Sequence, residues 1–303
     1  MCLKFLLFSV WIETTIVMAA ACSIPKHVVV IGGGIQGTSV AYYLIQQAPP
    51  TTKVTILEAK AMASAASGKG GGFMARSWGD GSPTQRLHEV AFDLYETLAR
   101  DLQCTSYRKL PVLSVAPGTR GGDVTAVGAV KRNNPQLQTV IPNWLDGNVG
   151  RISSLGMGDD TAQITPSELV EKMLQAISDR VTVLVGTCTD IQTQLESEQS
   201  DQLRVVGVKY QPPPAVAGAQ SSSDNKECVL PADAVVVSAG PWSCAAEDWF
   251  MGAVQLPMEG VKSTSIVWKP PVEGTPVDAT ALFCGEDHRY GTHCKSSGFH
   301  ESM

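Results

Sequence analysis

The segment VVVIGGGIQGTSVAYYLIQQ, residues 28–47, constrains the fold of this chain more than any other stretch. Residues 28–31 are β-branched and uninterrupted by polar side chains, which predicts a parallel strand buried on both faces. From Thr38 the apolar residues recur at helical spacing. Gly32, Gly34 and Gly37 lie across the junction and fit the pattern G-x-G-x-x-G. A strand, these glycines and a helix in this order predict a loop that holds a diphosphate.

Each of the three positions in this pattern requires glycine for a steric reason. The first permits a tight turn, the second lets the backbone approach the pyrophosphate, and the third lets helix and strand pack closely. The phosphates then lie at the helix N-terminus, where N–H groups and the helix dipole favour an anion. A second predicted strand, residues 54–57, ends at Glu58, close to the roughly 20-residue spacing of a carboxylate that binds ribose hydroxyls. These flanking features favour a dinucleotide site over a glycine-rich turn without chemical meaning.

Composition and charge exclude some classes of function. The chain has 303 residues, 44% of them hydrophobic, which is enough for one intertwined unit or two domains. The net charge of −6 argues against a nucleic-acid partner, and no basic cluster with interleaved aromatic residues occurs. The eight cysteines form no C-x-x-C pair, which favours a reduced compartment over a disulfide scaffold.

Residues 1–25 form a leader or signal-like extension. Lys4, a short apolar run and small residues at 19–21 are typical of a signal peptide. Glu13 interrupts the apolar run and leaves it too short to span a bilayer. A start at Met18 would leave only a short leader before the first strand. We predict a cytoplasmic protein without a transmembrane span, with a secretory or organellar location as the alternative.

Apolar periodicity predicts two further helices. One spans residues 83–102 and places along one side Leu87, Val90, Ala91, Leu94, Leu98 and Leu102. The other begins at Pro166, and its apolar face comprises Leu169, Val170, Met173, Leu174 and Ile177.

Strands are predicted at 109–115, 181–185 and 204–210, and residues 232–243 are typical of a buried strand that ends in small residues. Residues 211–226 are rich in Pro, Ala, Gly and Ser, which predicts an exposed, flexible insertion. Short strand-like pieces alternate with prolines over residues 252–284.

Four motifs occur in order along the chain: IGGGIQG (31–37) with Glu58, SAASGKGGGF (64–73), LVGTCTDI (184–191) and VVVSAGPWS (235–243). From about residue 26 to about 292 the chain resembles the FAD-dependent oxidoreductases of the D-amino-acid oxidase and sarcosine oxidase type. It most resembles the fungal, algal and protist members. Cys188 departs from the family pattern, which has valine there. The motifs are specific for FAD in this fold and much less specific for the substrate.

The resemblance implies an α/β fold in which a Rossmann-like FAD-binding domain contains an inserted, mostly antiparallel α+β substrate domain. The implied boundaries place the FAD-binding domain at residues 26–104 and 161–250. The substrate domain takes residues 105–160 and 251–292, and an atypical tail takes residues 293–303.

The resemblance also implies the cofactor and the residues that bind it. The cofactor is FAD, and the glycines of the second motif offer backbone N–H groups with no Cβ to obstruct a phosphate or a flat ring. The implied cofactor-binding residues are Gly32, Gly33, Gly34, Ile35, Gln36, Gly37, Glu58, Ala59, Ala66, Ser67, Gly70, Gly71, Gly72, Cys188, Ala239, Gly240 and Trp242. A strand end with Trp242 in the core is the alternative interpretation of the fourth motif.

The reaction implied by the resemblance moves a hydride from a C–N bond of a small amine or amino acid to the flavin, and oxygen or another acceptor then reoxidises the flavin. The sequence identifies no firm catalytic residue. Arg76 is a candidate for binding a substrate carboxylate, and His88 is a candidate for an acid or base. A solvated arginine and a helix-surface histidine are the alternatives. Tyr107 and Lys262 are further candidates.

Two further interpretations concern metal and function class. Cys284, His288, His293, Cys294 and His300 are metal-ligating residue types, but their spacing fits no paired zinc pattern, and no metal is predicted. A flavin or NAD(P) reductase using another donor is a second enzyme hypothesis, although the chain has no second G-x-G-x-x-G for a separate NAD domain. A non-catalytic flavin-fold protein that serves as a binding or trafficking factor is the hypothesis from a different class.

The residues after His293 are unlike the family. Family members continue with a strand, a glycine-rich turn and a helix that close the FAD domain. The resemblance therefore implies a truncated, frame-shifted or mis-spliced product that binds FAD weakly and turns over poorly.

Overall fold

A computed structural model describes residues 24–118, 124–196, 202–214, 227–262, 264–266 and 277–284. The strands are β1 His27–Ile31, β2 Lys53–Glu58, β3 Phe73–Ala75, β4 Arg108–Lys109, β5 Val112–Pro117, β6 Thr125–Ala126, β7 Asn148–Gly156, β8 Thr161–Gln163, β9 Val181–Val185, β10 Thr187–Leu195, β11 Leu203–Gln211, β12 Cys228–Pro231, β13 Ala234–Val237 and β14 Ala281–Cys284. The helices are α1 Ile35–Gln47, α2 Ala66–Lys69, α3 Gln85–Asp101, α4 Val127–Asn133, α5 Pro135–Gln138, α6 Pro166–Ala176 and α7 Ala246–Trp249, with a 3-10 helix at Gly240–Ala245.

The chain forms two compact units. Unit 1 comprises residues 1–62 and 174–256, and unit 2 comprises residues 63–173 and 257–303. This division assigns residues 63–104 and 161–173 to the unit that also contains residues 105–160. The functional domain boundaries given above stay a prediction.

Unit 1 is built on a parallel sheet in the order β13-β1-β2-β9. Alternate residues of β1 face opposite sides, so Val28 and Val30 pack with Ala41 of α1, whereas Val29 and Ile31 pack with Val208 of the antiparallel sheet β10-β11-β12. The prediction of a strand buried on both faces is confirmed. Both faces of this sheet are covered, in keeping with the uninterrupted apolar run of residues 28–31.

Unit 2 contains two smaller sheets in the orders β14-β5-β7-β6 and β3-β8-β4. Their strand pairs are antiparallel except for the parallel pair β14–β5. The main core packs β5 and β7 against α4 and α5 and contains Leu113, Val115, Val127, Leu137, Ile141, Val149 and Ile152.

Glu168, in the first turn of α6, holds a loop of unit 2 that lies more than 60 residues earlier. Its carboxylate accepts hydrogen bonds from Thr105 N at 2.7 Å, Thr105 Oγ1 at 2.8 Å and Ser106 N at 2.9 Å, and also from Ser106 Oγ. Ser106 Oγ in turn accepts from Thr165 N at 2.9 Å, beside the start of α6. These bonds lower the pKa of Glu168 to about 2, with the Ser106 hydroxyl as the largest cause.

Both predicted helices, α3 and α6, are present in the structure. Some residues predicted to lie on the apolar side of α3 are exposed. In α3, Leu98 is buried, whereas Leu87 is 67% exposed, and Val90 and Leu94 are exposed as well. Phe92 and Ala99 are buried instead of them. Periodicity identifies an apolar stripe, but the neighbouring elements decide which part of that stripe is covered. In α6, by contrast, Leu169, Val170 and Met173 are buried as predicted.

Some strand predictions need correction. The predicted strand 109–115 is interrupted at Leu110 and Pro111, between β4 and β5. The predicted buried strand 232–243 is only the partly buried β13, because the chain turns into the 3-10 helix at Gly240. Among described residues 252–262, 264–266 and 277–284, only β14 is a strand. Residues 1–23 of the predicted leader and residues 215–226 of the predicted insertion lie outside the described residues.

Helices of the described part of the chain are too short or too polar to cross a bilayer.

Candidate functional site

The glycine loop of unit 1 connects β1 to α1 in a conformation that glycine favours. Gly32 has φ +106°, and its N–H donates to Leu57 O at 2.9 Å. A Cβ at Gly32 would overlap the Ser238 carbonyl oxygen. A Cβ at Gly37 would overlap the Gly32 carbonyl oxygen and lie 2.7 Å from Ser238 Oγ. The first and third glycines are therefore required by close packing, as the sequence pattern predicts.

The N-terminus of α1 has the features of an anion site. Gly34 is the N-cap residue, and the helix has neither a side-chain capping bond nor an acidic residue in its first turn. Its first-turn N–H groups and dipole therefore meet no acidic side chain from the helix itself, which favours an anion there. Ile35 and Gln36 begin the helix, and Gln36 is exposed.

Glu58 lies directly beside this loop. Its Oε2 accepts a hydrogen bond from Gly33 N at 2.7 Å, and its Oε1 accepts one from Lys60 N at 2.9 Å. Ala59, between the two, is exposed. An ionised carboxylate has about four acceptor sites, so about two remain for ribose hydroxyls. The end of β2 thus places an acid at the loop where a dinucleotide requires it.

Sequence reasoning assigned no role to Met62 or Ser238. A Cβ at Gly33 would lie 2.5 Å from the Met62 sulfur, so this side chain packs over the glycine loop. Ser238 Oγ donates to Ile31 O at 3.0 Å and ties β13 to the end of β1. Ser238 lies in the fourth motif, directly after the strand and before Ala239. Its place in this motif was the sequence signal that could have indicated its role.

The other predicted residues of unit 1 lie on β10 and after β13. Cys188 pairs with Tyr210 across the sheet, and burial raises the pKa of its thiol to about 12. Ala239 packs in the core, and Gly240 has φ +59° with open space around it. Trp242 is 64% exposed, so the alternative of a core tryptophan is wrong.

The second glycine loop belongs to unit 2. Ala66 and Ser67 begin α2, and Gly70 N donates to Ala66 O at 3.0 Å. Gly72 has φ +64°, and a Cβ there would overlap the Ile164 carbonyl oxygen. Nothing lies within 4 Å of a Cβ at Gly71, whose carbonyl accepts from Gln163 Nε2 at 2.9 Å. Packing within the protein therefore requires glycine at position 72. At Gly71 no protein atom lies near the position of a Cβ, so its backbone faces open space.

The catalytic candidates occupy different surroundings. The Arg76 guanidinium pairs with Asp93 at 3.5 Å with both side chains exposed. His88 packs against Gly79, and its Nδ1 lies 3.4 Å from Ala75 O. The Tyr107 hydroxyl is buried without a hydrogen-bond partner among the described residues, and burial raises its pKa. Lys262 is exposed in an irregular segment.

Other possible sites are less informative. The described residues contain no group of three or more His, Cys, Asp or Glu side chains able to hold a metal. Of the cysteines and histidines named for the terminal cluster, only Cys284 is among these residues. A surface cavity of about 420 Å³ in unit 2 is lined by residues 111, 138–143 and 278–280, none of which is a predicted site residue.

The residues of the glycine loop fit an FAD diphosphate and ribose. The loop brings backbone close to an uncapped helix N-terminus, and Glu58 adjoins it with unused acceptor sites. The Gly32 and Gly37 positions are filled by protein backbone, which keeps the turn in this shape without a ligand.

Comparison with known proteins gives the family. A family model described as "DAO: FAD dependent oxidoreductase" matches residues 27–296. The Saccharomyces cerevisiae protein "Putative oxidoreductase TDA3" is 30% identical over 148 residues, which are 47% of this chain and 27% of that protein. The Schizosaccharomyces pombe protein "Putative oxidoreductase C1F5.03c" is 24% identical over 231 residues, which are 72% of this chain and 55% of that protein. This chain thus spans about a quarter and about half of these two relatives.

Among solved structures, glycine oxidase from Bacillus cereus is similar with a TM-score of 0.50 and 18% identity, over 75% of this chain and 58% of that one. At this identity the likeness shows the fold, a mixed α/β architecture with a parallel sheet. The family match covers nearly all of the described residues and includes both glycine loops, and the chain belongs to the FAD dependent oxidoreductase family, whose cofactor is FAD.

Proposed function

We propose that this chain binds FAD through the Gly32–Gly37 loop and Glu58, and that it oxidises a C–N bond of a small amine or amino acid. The observation that carries the proposal is the hydrogen bond from Gly33 N to Glu58 at 2.7 Å in a member of an FAD-dependent family. It supports a site in which one acid borders both the phosphate loop and the ribose position. The remaining residues implied by the resemblance, together with the domain boundaries, belong to the same proposal.

Bound FAD would supply the acceptor for a hydride leaving the substrate carbon. The residues of this chain would bind and orient the two molecules. N–H groups at the start of α1 would hold the diphosphate. Arg76 would bind a substrate carboxylate by exchanging its exposed Asp93 partner. The resulting imine hydrolyses in water, and oxygen or another acceptor takes the electrons.

An absorbance scan of the purified full chain tests the proposal. We expect flavin bands with about one FAD per chain, and bleaching of those bands under nitrogen when an amine or amino acid substrate is added. A colourless protein that gains no bands on mixing with FAD would contradict the proposal and favour a binding or trafficking role. Flavin that no amine bleaches would contradict the substrate class alone.

Two glycine substitutions locate the cofactor. Gly34→Val should abolish stoichiometric FAD binding, because a branched side chain would stand where pyrophosphate meets backbone. Gly128→Ala is the control, since Gly128 lies in α4 outside the predicted site and alanine favours a helix. FAD retained at unchanged affinity in Gly34→Val would place the site elsewhere.

A further inference from the structure

Helix α3 of unit 2 carries a row of exposed apolar side chains. Leu87, Val90 and Leu94 are 67%, 44% and 41% exposed, whereas Phe92 and Ala99 on the opposite side of the helix are buried. In an α-helix the three exposed residues lie within about 60° of one another and extend over about 10 Å. The helix therefore presents a narrow apolar stripe that the described residues leave partly uncovered.

A row of charged side chains runs beside this stripe. Arg86 and Asp93 lie on the same side of Val90, and their side chains are 81% and 65% exposed. Arg86 pairs with Glu89 at 3.0 Å, and Asp93 pairs with Arg76 at 3.5 Å. Ion pairs at such exposed positions are weak, and both charged groups keep unused hydrogen-bonding sites. The stripe is thus bordered by one positive and one negative charge, two turns of the helix apart.

The stripe and its charged border are complementary to a second copy of themselves. When two copies of α3 pack antiparallel about a two-fold axis at Val90, Leu87 of each copy lies opposite Leu94 of the other. The charged rows then lie on the same side of the helix pair, and Arg86 of each copy faces Asp93 of the other. This single register combines apolar contacts with two ion pairs of opposite sign.

The charges also oppose the neighbouring register. With the two-fold axis moved by about one turn to Asp93, this carboxylate would face its own copy, and Arg86 would face Arg100. Like charges opposite one another disfavour that arrangement. The charge pattern therefore distinguishes between two registers that the apolar residues alone would both permit.

We propose that α3 is a self-association surface at which two copies of this chain pair antiparallel, with Val90 at the two-fold axis. The charge pattern favours a second copy as the partner, because each copy supplies both signs that the other needs. A single helix pair lies at the small end of protein interfaces, so the dimer should be weak and reversible. The inference does not rest on the proposed function, since none of the residues in this contact is assigned to bind FAD or substrate.

Sedimentation velocity of the purified full chain, from micromolar to near-millimolar concentration, measures the association. We expect monomer and dimer in exchange and no larger species, because a two-fold contact closes at two copies. Leu87→Glu should weaken dimerisation by about tenfold or more, since it places a charge against Leu94. An acid in the first turn suits the helix dipole, so this substitution should not unfold α3. Leu203→Glu is the matched control, because Leu203 is 56% exposed on β11 in unit 1, and it should leave dimerisation within about twofold.

Two charge-reversed chains test the register. Arg86→Glu places a negative charge against Asp93 of the other copy, and Asp93→Lys places a positive charge against Arg86. Each variant alone should therefore self-associate about tenfold more weakly than the wild type. An equal mixture of the two restores both pairs of opposite sign, and a heterodimer should form within about threefold of the wild-type affinity. Because the substitutions are on different chains, this recovery cannot come from a contact within one helix.

The outcomes separate this dimer from other forms of association. A wild-type chain that stays monomeric over the whole range would overturn the inference, and so would equal effects of Leu87→Glu and Leu203→Glu. A continuing series of larger species would also contradict it, because it would indicate unspecific contact between apolar surfaces. Thermal unfolding identifies any variant with a folding defect. Two folded charge-reversed chains that fail to associate when mixed, or stronger self-association of Arg86→Glu, would refute the antiparallel register at Val90.

Discussion

Two glutamates, one in each unit, accept hydrogen bonds from backbone N–H groups of another segment. Glu168 in unit 2 accepts from four donors on Thr105 and Ser106, which fills the roughly four acceptor sites of a carboxylate. Glu58 in unit 1 accepts from two, Gly33 N and Lys60 N. The first is saturated by its own protein, whereas the second retains capacity for a ligand.

The difference separates a carboxylate that stabilises the fold from one suited to binding. Hydrogen bonds donated to an ionised carboxylate stabilise its charged form and lower its pKa, which for Glu168 is about 2. Substituting Glu168 should therefore act mainly on unfolding, and substituting Glu58 mainly on FAD affinity. The variants below test this division, beginning with the largest expected effect.

Glu168→Gln should lower the free energy of unfolding by about 2–3 kcal/mol at pH 7. The shift of its pKa from 4.5 to about 2 corresponds to roughly 3 kcal/mol between protonation states. Solvent screening near the protein surface reduces this value. Chemical denaturation measures it. Glu171→Gln is the control, because Glu171 is an exposed residue of the same helix. Equal effects of the two substitutions would show that the four bonds to Glu168 are not stabilising.

The difference in unfolding free energy between wild type and Glu168→Gln should depend on pH. A pKa lowered on folding stabilises the folded state above the unfolded-state pKa and loses this contribution as pH falls through the folded-state pKa. The stability difference between wild type and Glu168→Gln should therefore be full above about pH 4.5 and decline toward pH 2. Denaturation curves across this range measure it, and a difference that stays constant to pH 2 would contradict the assignment.

Glu58→Gln should weaken FAD binding by about 1–3 kcal/mol, as expected for one hydrogen bond to a charged group. Its effect on the unfolding of the FAD-free chain should be smaller, because glutamine can still accept from Gly33 N. Fluorescence titration with FAD gives the affinity. The wild-type acid should also repel a 2′-phosphate, so tighter binding of NADP than of FAD would refute the role given to Glu58.

Thr105→Val should have the smallest effect, a loss of about 1 kcal/mol in unfolding free energy. It removes one hydroxyl donor to Glu168 but keeps the backbone N–H bond at 2.7 Å. Combined with Glu168→Gln, the two losses should be less than additive because they share one contact. Full additivity would mean that the threonine acts through another neighbour.

The parts of the molecule that sequence predicts best are those whose signal is local. Residues 27–58 follow this rule, since strand, glycines, helix and acid are consecutive, and the structure has each of them. The loop held by Glu168 has no such signal, because Thr105 and Ser106 are ordinary residues whose partner is 62–63 residues away. The exposed side chains of Leu87 and Leu94 could not be predicted either, because coverage depends on packing between elements. Phe283 likewise contacts the rings of Phe73 and Trp78, which lie about 200 positions earlier.

The order of strands in the parallel sheet has a consequence for synthesis of the chain. β1 lies between β2 and β13, and Ser238 reaches Ile31 across 207 residues. Translation at about 5–20 residues per second takes roughly 10–40 s to cover that distance. During this time β1 can pair with β2 while the backbone groups on its other edge have no β13 to meet. The nascent chain therefore presents unpaired N–H and C=O groups of β1 for many seconds, an edge that can pair with another chain until β13 is made.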